Sequence, residues 1–321
     1  MTAKAPFHIL HQDKNLLIVQ TLAYTDSEGS DELAKQMLLQ NTPSFGHFNL
    51  GLHVQDDSSS VLANRCHLLA QLNQFIANSN EIDNNNQTNN KNKIQQIHWL
   101  NQVHGNTVLD IDEKLESSSS KLKATDADAI TSIQRGQALA IMTADCVPIV
   151  LYCPNSGRIA GIHAGWHGLA NGVIANTVRY FGTLQGTTQA EKKETTQELP
   201  ASLQAPLQAW IGACISVDNY EVNQGVLDEL LAGSLQNFPM LNDKDNLSQK
   251  ISKPHHDPNK VWIDLPSLAK EQLTSMGVQV VTDDITKIPC SYADTQFYSH
   301  RRATHKQQSS TGRMAMLVVR L

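Results

Sequence analysis

Apolar and polar positions follow two rhythms along this chain. The run Leu16-Leu17-Ile18-Val19-Gln20 is short and nearly unbroken, as in a buried strand. Between 61 and 77 the residues Val61, Leu68, Leu69, Leu72 and Phe75 recur at helical spacing. Asp57-Ser58-Ser59-Ser60 just ahead of them offers side-chain oxygens able to cap that helix. Residues 94–103 read as a strand. The stretches 138–143 and 147–152 read as two buried strands, or one bent strand, interrupted at Asp145-Cys146. A strand over 158–163, a helix over 168–180 and a strand at Met316-Leu317-Val318-Val319 complete the pattern. Such alternation predicts a mixed α and β fold.

Four polar stretches break the rhythm. Residues 78–93 contain Asn84-Asn85-Asn86-Gln87-Thr88-Asn89-Asn90, and 116–123 hold a four-serine run. Residues 183–205 are rich in Gln, Thr, Glu and Lys, and 242–259 are polar and proline-bearing. None carries enough apolar surface to offset the entropy of ordering, so each is expected to be a mobile surface insertion. Chemically suggestive residues lie on both sides of the first two. That makes residues 1–321 one domain with insertions rather than several domains.

Composition narrows the function. A chain of 321 residues can bury a sizeable core. A formal net charge of −6 supplies no basic surface of the kind that tracks nucleic acid. No apolar run reaches the roughly 18 residues that span a membrane. Residues 1–20 lack the apolar core and small-residue cleavage site of a secretory signal. Five cysteines, Cys66, Cys146, Cys153, Cys214 and Cys290, are scattered without a CxxC pair. That usage points to a reducing cytoplasm.

Candidate chemistry gathers where apolar runs end. Thr143-Ala144-Asp145-Cys146 closes one strand just before Pro148. Gly161-Ile162-His163-Ala164-Gly165-Trp166-His167-Gly168 closes another in small residues that permit close approach. Asn101-Gln102-Val103-His104-Gly105 closes a third. Two imidazoles and a thiolate form a borderline-soft donor set that suits zinc or copper, not magnesium or calcium. Three protein ligands would leave one coordination position open, as in catalytic sites.

The same atoms permit a second reading, with Cys146 a thiolate nucleophile and His163 or His104 its base. The sequence leaves ligand and nucleophile open. For any one of these residues a packed core or loop role is the ordinary alternative. Arg65, Arg301, Arg302 and Arg313 are the anion-binding candidates, since guanidiniums grip phosphate or carboxylate in a fork, though each could equally be a surface arginine. Asp126 and Asp128, at i and i+2, would share one side of a strand and could orient a ligating imidazole.

Taken in order, Asn49-Leu50-Gly51, Asn64-Arg65, Gln102-Val103-His104-Gly105, Ala127-Asp128-Ala129, Ala144-Asp145-Cys146-Val147-Pro148, His163-Ala164-Gly165-Trp166 and Thr311-Gly312-Arg313-Met314 form a set. From about residue 45 onward this set resembles the YfiH-like laccase-domain family. Its members are also described as multicopper polyphenol oxidase-like proteins and as purine nucleoside phosphorylases. The resemblance implies an α+β fold, a single domain with a large mixed β-sandwich-like core flanked by helices. It places the metal ligands on His104, Cys146 and His163, with zinc the expected ion and copper also associated with the family.

The activity so implied is zinc-dependent phosphorolysis of adenosine, inosine and methylthioadenosine, with adenosine deamination beside it. The partners are then a purine nucleoside and phosphate, bound by Arg65, Arg302, Arg313 and Asn49. Asp145, next to Cys146, is the expected proton carrier. A copper polyphenol oxidase is one alternative, but it calls for many histidines, and of the thirteen present only His104 and His163 sit in motifs. A cysteine-type amidase editing peptidoglycan precursors is the other. Two positions depart from the family pattern. His167 stands where arginine usually follows the tryptophan, which withdraws a cationic anchor, and Ala213 replaces a proline in Ile211-Gly212-Ala213-Cys214-Ile215.

Overall fold

The computed structural model describes residues 5–24, 45–80, 93–116, 125–183, 206–282 and 284–321. Its strands in chain order are β1 (Phe7–Gln12), β2 (Leu16–Thr21), β3 (Gln96–Trp99), β4 (Val108–Asp110), β5 (Ala129–Ser132), β6 (Gln137–Thr143) and β7 (Val147–Tyr152). They continue with β8 (Ile159–Ala164), β9 (Gln208–Ile211), β10 (Glu221–Asn223), β11 (Ser252–Pro254), β12 (Lys260–Ile263), β13 (Gln279–Val280) and β14 (Met314–Arg320). One mixed sheet runs β1-β2-β14-β6-β3 and another β13-β9-β7-β8-β5-β4, with a small β10-β12-β11 sheet beside them.

Strand alternation assigns every second side chain to a different layer. Leu16, Ile18, Leu139, Ile141, Met316 and Val318 of the five-stranded sheet meet Ile130, Val150, Ile159 and Trp210 of the six-stranded one. The intervening residues Leu17, Val19, Ala140, Leu317 and Val319 face the Ser58–Asn80 helix through Leu68, Leu72 and Ile76. On the far side Ile149, Leu151, Ala160 and Ile162 pack against the Val173–Thr183 and Leu265–Ser275 helices. The fold is therefore an α+β sandwich of two sheets flanked by helices. Both faces of the central strands are covered, which is why their sequences are unbroken apolar runs rather than alternating ones.

Two connections cross between the sheets and matter for function. The β3–β4 and β6–β7 links each leave the five-stranded sheet and enter the six-stranded one. The end of β6 pairs with the start of β14, Thr143 opposite Met314. The start of β7 pairs with the end of β8, Val147 opposite Ala164. One rim of the sandwich thus collects the crossovers, the end of β8 and the entry to β14. The stretches 138–143 and 147–152 are two strands in different sheets, not one bent strand.

Several expectations need correction. Strand character in 94–103 is confined to Gln96–Trp99, because the Gln102 side chain rather than its backbone bonds to Met142, donating to its carbonyl at 2.7 Å and accepting from its amide at 2.8 Å. The helix expected over 168–180 is two, Trp166–Ala170 and Val173–Thr183, parted near Gly172 with its φ of +76°. The stretch 242–259 is not an irregular loop. It holds the Lys244–Ile251 helix, capped by Asp243 accepting from the Asn246 amide at 2.9 Å, followed by β11. Leu247 and Ile251, one turn apart, are buried, and burial of such a side chain contributes about 1.5–3 kcal/mol. Two such residues order a segment whose average polarity conceals them. The stretches 78–93, 116–123 and 183–205 lie almost wholly outside the described residues. No described helix is long and apolar enough to cross a membrane.

Candidate functional site

His104, Cys146 and His163 converge at the crossover rim. One ligand atom from each lies within 4.8 Å of the others. Cys146 Sγ is 3.9 Å from His104 Nε2, and the two imidazole centroids are 4.8 Å apart at 77°. Tetrahedral zinc with bonds of about 2.0–2.3 Å would set such atoms roughly 3.3–3.7 Å apart, so a slight contraction closes the group on one ion. The donors fit a borderline-soft metal. His163 is buried, Cys146 half-buried and His104 exposed, so the group opens on the His104 side.

The local sequence explains the convergence. Cys146 ends the β6–β7 crossover and His163 lies opposite Pro148 in the β7–β8 pair. A Cβ on Gly165 would come within 2.9 Å of His104 Cδ2 and 3.2 Å of Cys146 Sγ, so only glycine lets the strand end approach both ligands. His104 and Asp145 take positive φ values of +60° and +101°. Backbone of this kind costs about 1–3 kcal/mol per residue and persists where its surroundings hold it.

Asp128, fully buried, supplies the hold for His104. Its carboxylate accepts from the backbone amides of Val103, His104 and Gly105 at 3.3, 2.9 and 2.6 Å. The same carboxylate meets His163 Nδ1 at 2.8 Å. One side chain therefore fixes the turn bearing the first histidine and the ring of the second, leaving His163 Nε2 for the ligand group. Burial pushes the Asp128 carboxyl up, but these hydrogen bonds outweigh it and hold the carboxyl below the usual range. Asp126 does not share this position. It is exposed and accepts from Asn101 Nδ2 at 2.6 Å.

Charge within the group is paired. Burial opposes ionisation of Cys146, yet the His163 and His104 imidazoles pull its thiol down to about 6. Burial likewise opposes protonation of His163, but Cys146 and Asp128 raise it to about 9. The arrangement can present a thiolate to a metal, or to an electrophile.

The arginines divide. Arg65 donates from Nε and Nη2 to the Leu50 carbonyl at 2.9 and 2.7 Å and lies 4.0 Å from the centroid of the Trp99 ring. Burial lowers it to about 10. Arg313 donates from Nη1 to the Thr311 and Gly312 carbonyls. Neither has a carboxylate at hydrogen-bond distance among the described residues. Arg302 is different. It donates to the carbonyls of Ser291, Tyr292, Asp294 and Phe297, stapling that loop, which makes it a structural residue rather than a free anion anchor. Arg301 likewise donates from Nη1 to the Glu221 carbonyl at 2.7 Å.

Two other expectations change. Asn49, fully buried, has its side chain engaged by Gly51, Asp56 and the Arg313 amide, so it positions the arginine turn instead of facing a substrate. Asp145 accepts from Ser291 Oγ and from the Arg301 amide, both at 2.7 Å, so both oxygens serve as braces. His167 is exposed and stacks on Trp166, centroids 3.5 Å apart. Ala213 packs with Leu22, Ala144, Phe297 and Met314. His53 was passed over in the sequence, although it lies only four positions after Asn49. Although much of its surface is exposed, partial desolvation of the ring and then the charges of Arg313, Arg65, His163 and His104 lower its pKa.

Comparison with known proteins supplies context. Residues 76–321 match the family described as multi-copper polyphenol oxidoreductase laccase. A purine nucleoside phosphorylase of Pseudomonas aeruginosa is 32% identical over 276 residues, covering 85% of this chain and 86% of that protein. One from Shigella flexneri is 30% identical, covering 86% and 87%. Among solved structures, the Neisseria meningitidis protein NMB0706 superposes with a TM-score of 0.62 at 23% identity, over 98% of this chain and 99% of that one. YlmD from Geobacillus stearothermophilus gives 0.62 at 21%, over 99% of both chains. These last two likenesses support the fold alone.

Proposed function

The chain belongs to the multi-copper polyphenol oxidoreductase laccase family, and from that premise we propose that it is a zinc-dependent purine nucleoside phosphorylase of the cytoplasm. Its substrates are adenosine, inosine and methylthioadenosine, with adenosine deamination as a side activity. The observation that carries this reading is a His–Cys–His group, open on one side, at the same rim as two half-buried arginines without carboxylate partners among the described residues. The phosphorylase names of the Pseudomonas and Shigella relatives agree with it.

His104, Cys146 and His163 hold the metal, with Asp128 orienting His163 and bracing His104. When bound, zinc supplies Lewis acidity and lowers the pKa of water. Arg65 and Arg313 hold phosphate by charge against the anomeric carbon as oxocarbenium character builds. Arg302 and Asn49 maintain the loops that carry these groups. Asp145 is relieved of the proton-carrier role because both its oxygens already accept hydrogen bonds.

The test is product analysis from adenosine with and without phosphate, before and after chelation. Expected products are adenine and ribose 1-phosphate, dependent on phosphate, lost to chelator and restored by zinc; inosine reports deamination. Faster oxygen-consuming oxidation of a polyphenol by the copper-loaded protein would instead favour the laccase reading. The 3.9 Å approach of Cys146 to His104, with its lowered thiol, favours one second reading, a cysteine amidase. Amide cleavage that survives chelation and traps a covalent Cys146 adduct would establish it.

A further inference from the structure

We propose that Cys290 is an oxidation site for hydroperoxides, closing a disulfide to Cys214 that loosens the Cys146 turn through Asp145. Neither cysteine has a part in the chemistry above, and both are free thiols. They face each other across an isolated parallel bridge. The Cys214 amide donates to the Pro289 carbonyl at 3.3 Å, and the Ser291 amide donates to the Cys214 carbonyl at 2.9 Å. Those two bonds clamp Cys290 directly opposite Cys214. Opposed residues of a parallel pair send their side chains to the same face, from strands about 4.7–4.9 Å apart. A disulfide joins Cα atoms about 4.4–6.8 Å apart, so the backbone is already in range.

The two sulfurs differ in surroundings. Cys290 is half-buried, and its Sγ accepts from the Ser216 amide at 3.3 Å, the Ser216 hydroxyl at 3.1 Å and Asn219 Nδ2 at 3.4 Å. Three donors aimed at one sulfur suit an electron-rich nucleophile. Cys214 is buried, and burial pushes its thiol well up, so it keeps its proton. Cys290 therefore reacts first. Its sulfur gives an electron pair to one oxygen of the hydroperoxide, and the O–O bond breaks. The thiol proton passes to the departing alkoxide, leaving a sulfenic acid on Cys290. The Cys214 sulfur then bonds to the Cys290 sulfur as the S–O bond breaks, and the hydroxide leaves as water with the Cys214 proton. Two electrons pass from sulfur to peroxide.

The bridge reaches the ligand group through both of its strands. Ile215, next to Cys214, donates its amide to the Asp145 carbonyl at 2.9 Å. Ser291, next to Cys290, donates its hydroxyl to Asp145 Oδ1 at 2.7 Å. Asp145 precedes Cys146 and stands at a φ of +101°, a conformation that persists only while its surroundings hold it. Closing the disulfide takes Cys290 off its donors and shifts both holds on Asp145 together. Oxidation of the pair thus weakens the grip of Cys146 on a metal. In a reducing compartment, transient disulfides of this kind act as sensors.

The test is hydrogen peroxide added to the zinc-loaded chain, followed by alkylation and peptide mass mapping, with released zinc read by a chromogenic chelator. A Cys214–Cys290 disulfide should form about tenfold or more faster than exposed Cys66 is oxidised. Zinc should leave as it forms and rebind after dithiothreitol. Cys290→Ser should slow zinc release about tenfold or more with Tm unchanged. Cys214→Ala should stop Cys290 at the sulfenic acid, trapped by dimedone. Zinc release at the wild-type rate in Cys290→Ser would show peroxide acting on Cys146 itself and overturn the coupling. Cys290 left unoxidised, or oxidised without pairing to Cys214, would overturn the site. A chain that takes up no zinc would sink the metal reading, and disulfide mapping alone would then decide this one.

Discussion

The two halves of the site are built by different means. On the ligand side one buried carboxylate, Asp128, binds three amides and an imidazole, and the thiolate of Cys146 faces two histidines. Charge there is compensated. On the arginine side Arg65 is held by the Leu50 carbonyl and the Trp99 ring and Arg313 by the Thr311 and Gly312 carbonyls, with no carboxylate at hydrogen-bond distance among the described residues. Charge there has no hydrogen-bonded counter-ion among the described residues. A half-buried guanidinium without a hydrogen-bonded anion is costly to maintain, which is why the proposed function puts phosphate on this half.

The largest effect should come from breaking the compensated half. Cys146→Ala should abolish both metal uptake, measured by elemental analysis, and phosphorolysis. Phosphorolysis retained without metal would remove the ligand side from the chemistry. Asp128→Asn should weaken metal affinity about 10–100-fold in a chelator competition, the usual cost of losing a ligand's orienting partner. Unchanged affinity would mean that the hydrogen bonds to His104 and His163 orient nothing.

The other half should respond in substrate binding rather than metal. Arg313→Ala should raise KM for phosphate about tenfold, since a charged hydrogen bond contributes about 1.5–3 kcal/mol, with metal content unchanged. Arg302→Ala should lower Tm and leave that KM alone, because its donors hold loop carbonyls. A reversal of these two results would exchange their roles. The smallest effect concerns charge in the metal-free protein. With its thiol lowered to about 6, Cys146 is thiolate above that pH and thiol below it. Its alkylation rate, read by mass spectrometry, should climb through about pH 6 and then level; a climb centred near 8.5, the ordinary thiol value, would contradict the pairing.

What the sequence revealed follows the same division. Cys146 and His163 could be singled out because each stands where an unbroken apolar strand stops at small residues, and His104 because its run breaks at Gly105. The element types were legible for the same reason, since layers buried on both faces leave long apolar runs. Asp145 drew the proton-carrier role because it adjoins Cys146 in the chain; Asp128 was legible beside Asp126 as a partner for a ligating imidazole, and its hold on both histidines emerges only once β5 pairs with β8. Arg302 looked like Arg313 in sequence, and only the Ser291–Phe297 carbonyls distinguish them. The Lys244–Ile251 helix was hidden by composition, which averages away the one-turn spacing of Leu247 and Ile251.

The central claim is that His104, Cys146 and His163 share one ion. X-ray absorption at the metal edge of the zinc-loaded protein tests it most directly. One sulfur at about 2.3 Å and two imidazole nitrogens at about 2.0–2.1 Å, with the sulfur lost in Cys146→Ser, are the expected shell. A shell without sulfur, or one unchanged by that substitution, would contradict the claim.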